Sequence, residues 1–383
     1  MAAGKGNLLW IYPDTFEACK DKATWMETSG WLAKKNWRVT MLCAGVDPGN
    51  MPPNVSFEII RRKHIFILSH IIYQLRILLW VLRHRSILDV VLFHPESLLF
   101  LTPLKLLRLF SGARSPKLMM DVRTLNMFQT GIKGWVRTQY INLLLSLSFH
   151  IADGVTVITQ EMGKQIGLPA KLNMGVWSSG VDTHKFRQAF YKRKWPGPDE
   201  PVVFIYIGTV ASHRNLTNAC RAFLNTSQKG CPVKFVVLGG GDAWQKLADE
   251  FSQHKNVVDL KHTVPSEQVL DYLGQAHVGV VPHPYSVKFR VSSPLKLFEY
   301  MAAGMPTLAT DVVCHTSVIN DEDIVFWSRG SSVEALEESI ITACQRRVDF
   351  PEMGAQALEY AKNFDWESVT SRLDDALDKV LAT

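Results

Sequence analysis

Cysteine is scarce and scattered: six in 383 residues, at positions 19, 43, 220, 231, 314 and 344, with no C-x-x-C pair. That spacing excludes a disulfide framework and a cysteine zinc site, and it predicts reduced, buried thiols in a cytosolic setting. Low-complexity tracts and repeats of solenoid period are missing, as are helix-turn-helix, zinc-finger and RNA-recognition signatures. Nucleic acid is therefore not an expected partner. Residues 1–7 are short and polar, and residues 8–12 are too brief for a secretory core, so no signal peptide is expected. The longest apolar stretch, residues 64–85, is interrupted by His70, Gln74 and Arg76. A membrane-spanning helix would bury that arginine at high cost. A buried helix of a domain, or one lying in a membrane interface with Arg76, Arg83 and Arg85 reaching lipid phosphates, both fit better.

What is present suits two domains of roughly 150–200 residues each. Apolar residues make up 47% and charged residues 20%, the balance of a globular protein. The net charge of +6 hides an asymmetry. Residues 1–185 carry 22 basic against 12 acidic side chains, leaving 20 against 24 for the remainder, and residues 61–137 carry 13 against 3. Such a field attracts a polyanion or an anionic membrane surface. The basic residues are interleaved with long aliphatics rather than stacking aromatics, again at residues 98–117, which favours the membrane surface.

The chain opens with a β-α-β pattern: strand 8–12, a turn at Pro13-Asp14, helix 22–35 and strand 39–43. This predicts a Rossmann-like half, with ligands at the carboxyl ends of its strands. Strand 89–93 ends at His94, and strand 117–120 ends at Asp121. Either side chain could face a crevice. Equally, His94 could be a strand-end histidine with a backbone partner, and Asp121 could pair with Arg123 or cap a helix. Gly180 is placed in a turn of positive φ. Residues 191–201, charged and holding three prolines and a glycine, read as a linker.

In the second half, strand 202–207 runs into Gly208-Thr209 and a polar loop with Arg214, then helix 216–228. Strand 233–238 leads to Gly239-Gly240-Gly241-Asp242, where backbone approaching a ligand needs glycine. Further strands are expected at 278–282 and 307–309, and Lys288 and Arg290 lie in an expected loop at 285–291. Asp321-Glu322-Asp323 offers only a superficial D-x-D, and no metal site is expected. The most informative stretch is 292–306, SSPLKLFEYMAAGMP. Ser-Ser-Pro leads into a helix over 295–303 that Gly304 and Pro306 stop. The helix start could bind an anion such as a diphosphate. Lys296 in the first turn is unfavourable for the helix itself and makes sense beside a negative ligand. Glu299, one turn on, could accept two sugar hydroxyls. The alternative is an ordinary amphipathic helix with a solvated Lys and Glu.

This stretch closely resembles the PxKxxEYxAxGxP segment of the retaining nucleotide-sugar glycosyltransferases of glycosyltransferase family 4, which have the two-Rossmann GT-B fold. The family places the glutamate at Glu299 on the donor ribose. Many members have an earlier glutamate eight residues upstream, where this chain has Val291. Residues 155–159, the crossover SSGVDTHKF at 178–186 and the glycine turn at 239–241 are similar to further family motifs. In the loop after strand 202–207 the family uses an Arg directly after the Gly and a Lys five residues on. Here those positions are Thr209 and Arg214. The first loop, residues 13–16, lacks the family's glycine pair.

The resemblance implies an α/β GT-B protein, two Rossmann-like domains facing each other across a cleft. The domains are an acceptor- and membrane-facing one at 1–185 and a donor domain at 186–362, with a terminal helix, 363–383, crossing back to the first. It implies transfer of a hexose-type unit from a nucleotide diphosphate sugar, UDP- or GDP-linked, to a lipid-linked or envelope glycan, with no cofactor or metal. Asp121, Arg214 and Lys296 are the implied catalytic groups. Gly208, Thr209, Gly240, Ser292, Ser293, Pro294, Leu295 and Glu299 are the implied donor-binding residues, with Asp14 and His94 on the acceptor side. The amides following Ser292 and Ser293 would join Arg214 and Lys296 on the leaving diphosphate. The expected location is cytoplasmic, peripheral at the inner face of a membrane. Two other classes remain open: another GT-B enzyme, such as an epimerase or phosphorylase, and a non-catalytic nucleotide-sugar-binding subunit of a glycan-assembly complex.

Overall fold

In the computed structural model the described residues are 4–16, 21–46, 49, 51–60, 66–112, 114–125, 131–319 and 323–383. The chain forms two units, Met1–Ser179 with Trp366–Thr383, and Gly180–Asp365. The first is built on a parallel sheet of seven strands: β1 (Gly6–Thr15), β2 (Trp37–Ala44), β3 (Val55–Ile59), β4 (Val90–Phe93), β5 (Lys117–Val122), β6 (Gly154–Val157) and β7 (Asn173–Val176). Their spatial order is β3-β2-β1-β4-β5-β6-β7. β4 and β6 are buried along their whole length, because helices cover both faces and leave no polar side to the strand.

Residues 13 and 14, expected as a turn, instead continue β1 to Thr15. The ladder with β2 is irregular between Ile11 and Thr15, where Pro13 has no N–H to give. The terminal helix Trp366–Leu381 belongs to this first unit. Its Val369, Leu373, Ala376, Leu377 and Val380 pack into the same core as Leu8, Trp10 and Met174. Its buried Asp374 accepts from Trp37 Nε1 at 2.8 Å and from Lys5 Nζ at 2.5 Å.

The second unit carries six parallel strands: β8 (Val202–Ile207), β9 (Val233–Leu238), β10 (Val258–Lys261), β11 (Val278–Val281), β12 (Thr307–Thr310) and β13 (Val325–Ser328). Their order is β10-β9-β8-β11-β12-β13, so the winding reverses between β8 and β11. Entry and exit of this unit lie side by side: Val181 N–H donates to Phe364 O at 2.9 Å, and Thr183 N–H to Asp365 Oδ2 at 3.3 Å. Gly180, expected at positive φ, does not adopt it. Arg193, at the start of the expected linker, is buried instead of solvated. Its guanidinium donates to the carbonyls of Ala276, Gly304 and Leu273 and ties the segment to the ends of the Ser266–Gln275 and Leu295–Ala302 helices. Among the described cysteines there is no disulfide.

Candidate functional site

In an open parallel sheet, ligands bind outside the carboxyl ends of the strands where the winding reverses. In the second unit that point lies between β8 and β11. The loops leaving β8 and β9 run together there. Gly208 N–H donates to Leu238 O at 3.0 Å, Val210 N–H to Gly240 O at 2.9 Å, and Ala243 N–H to Val210 O at 3.1 Å. This backbone-on-backbone approach requires glycine. A methyl at Gly239 (φ +155°) would overlap the Gly208 carbonyl, and one at Gly241 (φ +157°) the Val210 carbonyl. Gly239→Ala is therefore expected to cost about 3 kcal/mol. It should be read as a lower urea midpoint at unchanged slope; an unmoved midpoint would mean that the two loops do not meet.

A cavity of about 220 Å³ opens on this double loop, lined by Gly208, Thr209, Gly239, Gly240, Thr263 and Val264 among others. Lys296 lies beside it, its Cε 3.2 Å from where a Gly208 side chain would begin. Lys296 Nζ pairs with Glu299 Oε2 at 2.7 Å, one turn along the Leu295–Ala302 helix. The Tyr206 hydroxyl, beside the same glycine, donates to Thr209 O at 2.8 Å.

Arg214 ends a short turn before Asn215, whose left-handed φ of 61° starts the Leu216–Gln228 helix. Its Nη1 donates to His283 Nε2 at 3.3 Å, and its guanidinium meets the Tyr206 hydroxyl. Both partners are neutral. Burial raises the Tyr206 pKa against the pull of Arg214, and burial followed by His315 and Arg214 lowers that of His283 far below the ordinary histidine value. Among the described residues no carboxylate lies within ion-pair distance of Arg214. Its Nε and the Ser293 hydroxyl are buried without partners. A buried donor left unmade costs about 1–3 kcal/mol, which a bound anion would remove.

The amides expected after Ser292 and Ser293 need correction. The second belongs to Pro294, which has no N–H, and Leu295 N–H is taken by Ser293 O at 3.1 Å. Pro294 itself caps the helix without a side-chain bond. The expected loop at 285–291 forms a short helix, Val287–Val291, capped by the Ser286 hydroxyl, and Val291 is buried.

In the first unit Asp121 lies at the end of β5, 5% exposed. Its Oδ1 accepts from Thr156 Oγ1 at 2.9 Å and Trp177 Nε1 at 3.1 Å, and its Oδ2 stands 4.0 Å from Arg123 Nη1. Arg123 lies over the Trp177 ring at 4.0 Å and donates to Ser179 Oγ at 2.9 Å. Burial pushes Asp121 up to about 6, although Arg123 and the two hydrogen bonds oppose it. His94 caps the turn Pro95–Ser97, its Nδ1 accepting from Glu96 N–H at 3.4 Å. The Asp14 side chain lies outside the described residues, as do Asp321 and Glu322; Asp323 pairs with Arg346 at 2.6 Å. Among the described residues no group of three or more His, Cys, Asp or Glu is placed to hold a metal. A larger cavity of the first unit, about 460 Å³, is lined by residues such as Leu125, Ile141 and Phe149 and, among the described residues, by no charged side chain.

The structure thus gathers Gly208, Thr209, Gly240, Arg214, Lys296 and Glu299 around one sheet switch point, and it places Asp121 and His94 in the other unit. Tyr206, His283 and His315 were not foreseen. His283 could have been found as a polar residue directly beyond a strand's carboxyl end; His315 has no comparable local sign.

Residues 187–364 match the family model described as "Glycosyl transferases group 1". No curated protein sequence matches the chain. Among solved structures, sucrose-phosphate synthase from Thermosynechococcus elongatus is similar at a TM-score of 0.71 and 15% identity, covering 99% of this chain and 100% of that one. A glycosyltransferase from Rickettsia africae ESF-5 gives 0.71 and 12%, covering 99% of each chain. Anabaena HepE in complex with UDP-glucose gives 0.68 and 11%, covering 97% of this chain and 99% of that one. The architecture is GT-B: two Rossmann-like units in one chain, with the terminal helix returned to the first.

Proposed function

We propose that the protein is a glycosyltransferase that moves a hexose-type unit from a nucleotide diphosphate sugar to a hydroxyl of a lipid-linked or envelope glycan, with retention and without a metal. The observation that carries this is Arg214, a cation held by neutral acceptors at the switch point of the unit that matches the group 1 glycosyl transferases. As the glycosidic bond breaks, negative charge gathers on the leaving diphosphate. Arg214 and Lys296 would neutralise it in place, with no reorganisation at the moment of reaction. Phosphate drawing Lys296 away would release Glu299 to accept from ribose hydroxyls. Gly208, Thr209 and Gly240 bring backbone close to the donor, and Thr263 and Val264 would line the base. Retention rests on the resemblance of residues 292–306 to family 4. Asp121 enters as a positioning residue, fixing Arg123 and Trp177 at the strand ends of the first, acceptor-side unit. Thermal shift with UDP, GDP and ADP tests the donor site: one of them should raise the melting temperature in proportion to its affinity. A flat response to all three would oppose it. Val291, buried where many relatives have a glutamate, favours the second reading, a donor-binding subunit without transfer activity.

The first unit would sit on an anionic membrane. No helix among the described residues is long and apolar enough to cross one. The helices Phe66–His84, Leu98–Ser111 and Gly131–Ile151 instead leave large apolar side chains in water, among them Leu79, Leu109, Phe110 at 85% and Trp135 at 64% exposure. Scattered single residues need no explanation, but such a set on three helices of one basic unit does. Not every base is free for lipid: Lys105 and Arg108 both bind Asp153 and, against its burial, hold its pKa below the carboxylate range. Flotation with phosphatidylglycerol vesicles should carry the chain upward at low salt and less at high salt. The double variant Phe110→Ser, Trp135→Ser should stay at the bottom. Equal flotation of both proteins would remove this surface from consideration.

A further inference from the structure

We propose that His283 and His315 form a neutral hydrogen-bond relay that positions the Arg214 guanidinium for phosphate. This rests on the assignment of the loop after β8 to the donor diphosphate, and it adds two positioning residues to that site.

Three strands deliver the relay. Arg214 stands beyond β8 and His283 beyond β11, the strands that flank the sheet switch, and His315 beyond β12, the next strand out. Both rings are buried. His315 Nδ1 lies 2.7 Å from Thr310 O, His315 Nε2 lies 3.3 Å from His283 Nδ1, and His283 Nε2 lies 3.3 Å from Arg214 Nη1. The ends of this chain fix every proton in it. A carbonyl only accepts, so His315 carries its proton on Nδ1 and offers a bare Nε2. His283 must then donate from Nδ1, which leaves its own Nε2 bare. A guanidinium only donates, and that nitrogen is what it needs. Each ring is a neutral Nδ1–H tautomer, the minority form of a free histidine in water.

The surroundings maintain this state. His283 stacks on Phe289 at 4.0 Å, which holds the ring plane. The titratable groups facing it are His315, Arg214, Lys288 and His213, none of them anionic. His315 faces Thr310 O and Asp311, and burial takes it down to about 4. A carboxylate in place of the relay would also hold the guanidinium, but it would neutralise the charge that a diphosphate must meet. Neutral imidazoles orient the fork and leave its charge unspent.

The test uses the full chain and two readouts. In long-range ¹⁵N–¹H spectra of histidine-labelled protein, assigned with H283Q and H315Q, both rings are expected to carry the proton on Nδ1 at pH 7. A proton on Nε2 of either ring overturns the relay. Calorimetry then uses whichever of UDP, GDP and ADP the wild type binds. Asn at 283 can donate from the Nδ1 position but offers Arg214 no acceptor, whereas Gln can place an oxygen near the Nε2 position. His283→Asn should weaken binding about tenfold or more, and His283→Gln no more than about threefold. A pure packing role predicts equal losses in the two, which overturns the proposal. If the Asn variant does not fold, a folded Gln variant that binds tenfold more weakly overturns it as well. Failure of the wild type to bind any of the three nucleotides would instead defeat the donor assignment, and the phosphate-positioning role with it.

Discussion

Arg214→Ala is expected to lower sugar transfer by about two to three orders of magnitude, the usual loss when one preorganised donor to developing negative charge is removed. The melting temperature of the ligand-free protein should stay level or rise. These two results together are the diagnostic. Arg214 meets His283 and Tyr206, both neutral, and its Nε makes no bond at all. Such a cation contributes little to folding and carries a desolvation cost, the signature of a residue held for a ligand. Arg214→Lys should keep the charge and lose the fork, for a loss of about tenfold. Lys296→Ala should behave like Arg214→Ala in transfer. Donor binding with no transfer in the wild type would favour the donor-binding subunit. Loss of stability in Arg214→Ala comparable to the loss of activity would make the arginine a structural prop.

The second large effect concerns Asp121. Removing it with alanine strips Thr156 and Trp177 of a buried acceptor at once and leaves Arg123, among the described residues, only its ion pair with Asp21 at 3.4 Å, and should cost about 3–5 kcal/mol. Asp121→Asn keeps an oxygen for Thr156 and Trp177 and should fold well. The sign of its pH dependence follows from the pKa of about 6, raised above the ordinary 3.8 by burial. A folded carboxyl that holds its proton more tightly than the unfolded one loses stability as pH rises through 6. Wild type should therefore gain relative to Asp121→Asn as pH falls from 7.5 to 4.5, by roughly 2 kcal/mol. Paired urea titrations at the two pH values measure this difference free of all other titrating groups. A difference of zero would place the ionised carboxylate at no cost in its site, and a difference of opposite sign would make the Arg123 pair the dominant influence.

Much of the second unit was legible because its first two strands are largely apolar runs closed by Gly208 and Gly239. Val202–Ile207 and Val233–Leu238 form over the same residues as expected, and so does the Leu216–Gln228 helix. The first unit gave less. β3 buries only Val55 and then alternates exposed with half-buried residues, and β7 spends one of its four residues on glycine, so neither edge strand announces itself by burial. The Gly131–Ile151 helix is apolar on nearly all sides over its second half and lacks the periodicity that marks a helix. At the candidate site, residues 292–306 pointed to Lys296 and Glu299 locally, and strand-loop-helix order pointed to Arg214. The relay was invisible, since His283 and His315 are 32 positions apart and only the order of β8, β11 and β12 makes them neighbours. Pairing of Lys296 with Glu299 was equally hidden: the spacing permits it, but only the rotamers decide it.

The most direct measurement is calorimetric titration of the full chain with UDP, GDP and ADP, repeated on Arg214→Ala. The predicted result is saturable binding of at least one nucleotide by the wild type, weakened about tenfold or more in the variant. Binding that is unchanged by loss of Arg214, or no binding of any of the three, would contradict a donor site at the switch point of the second sheet.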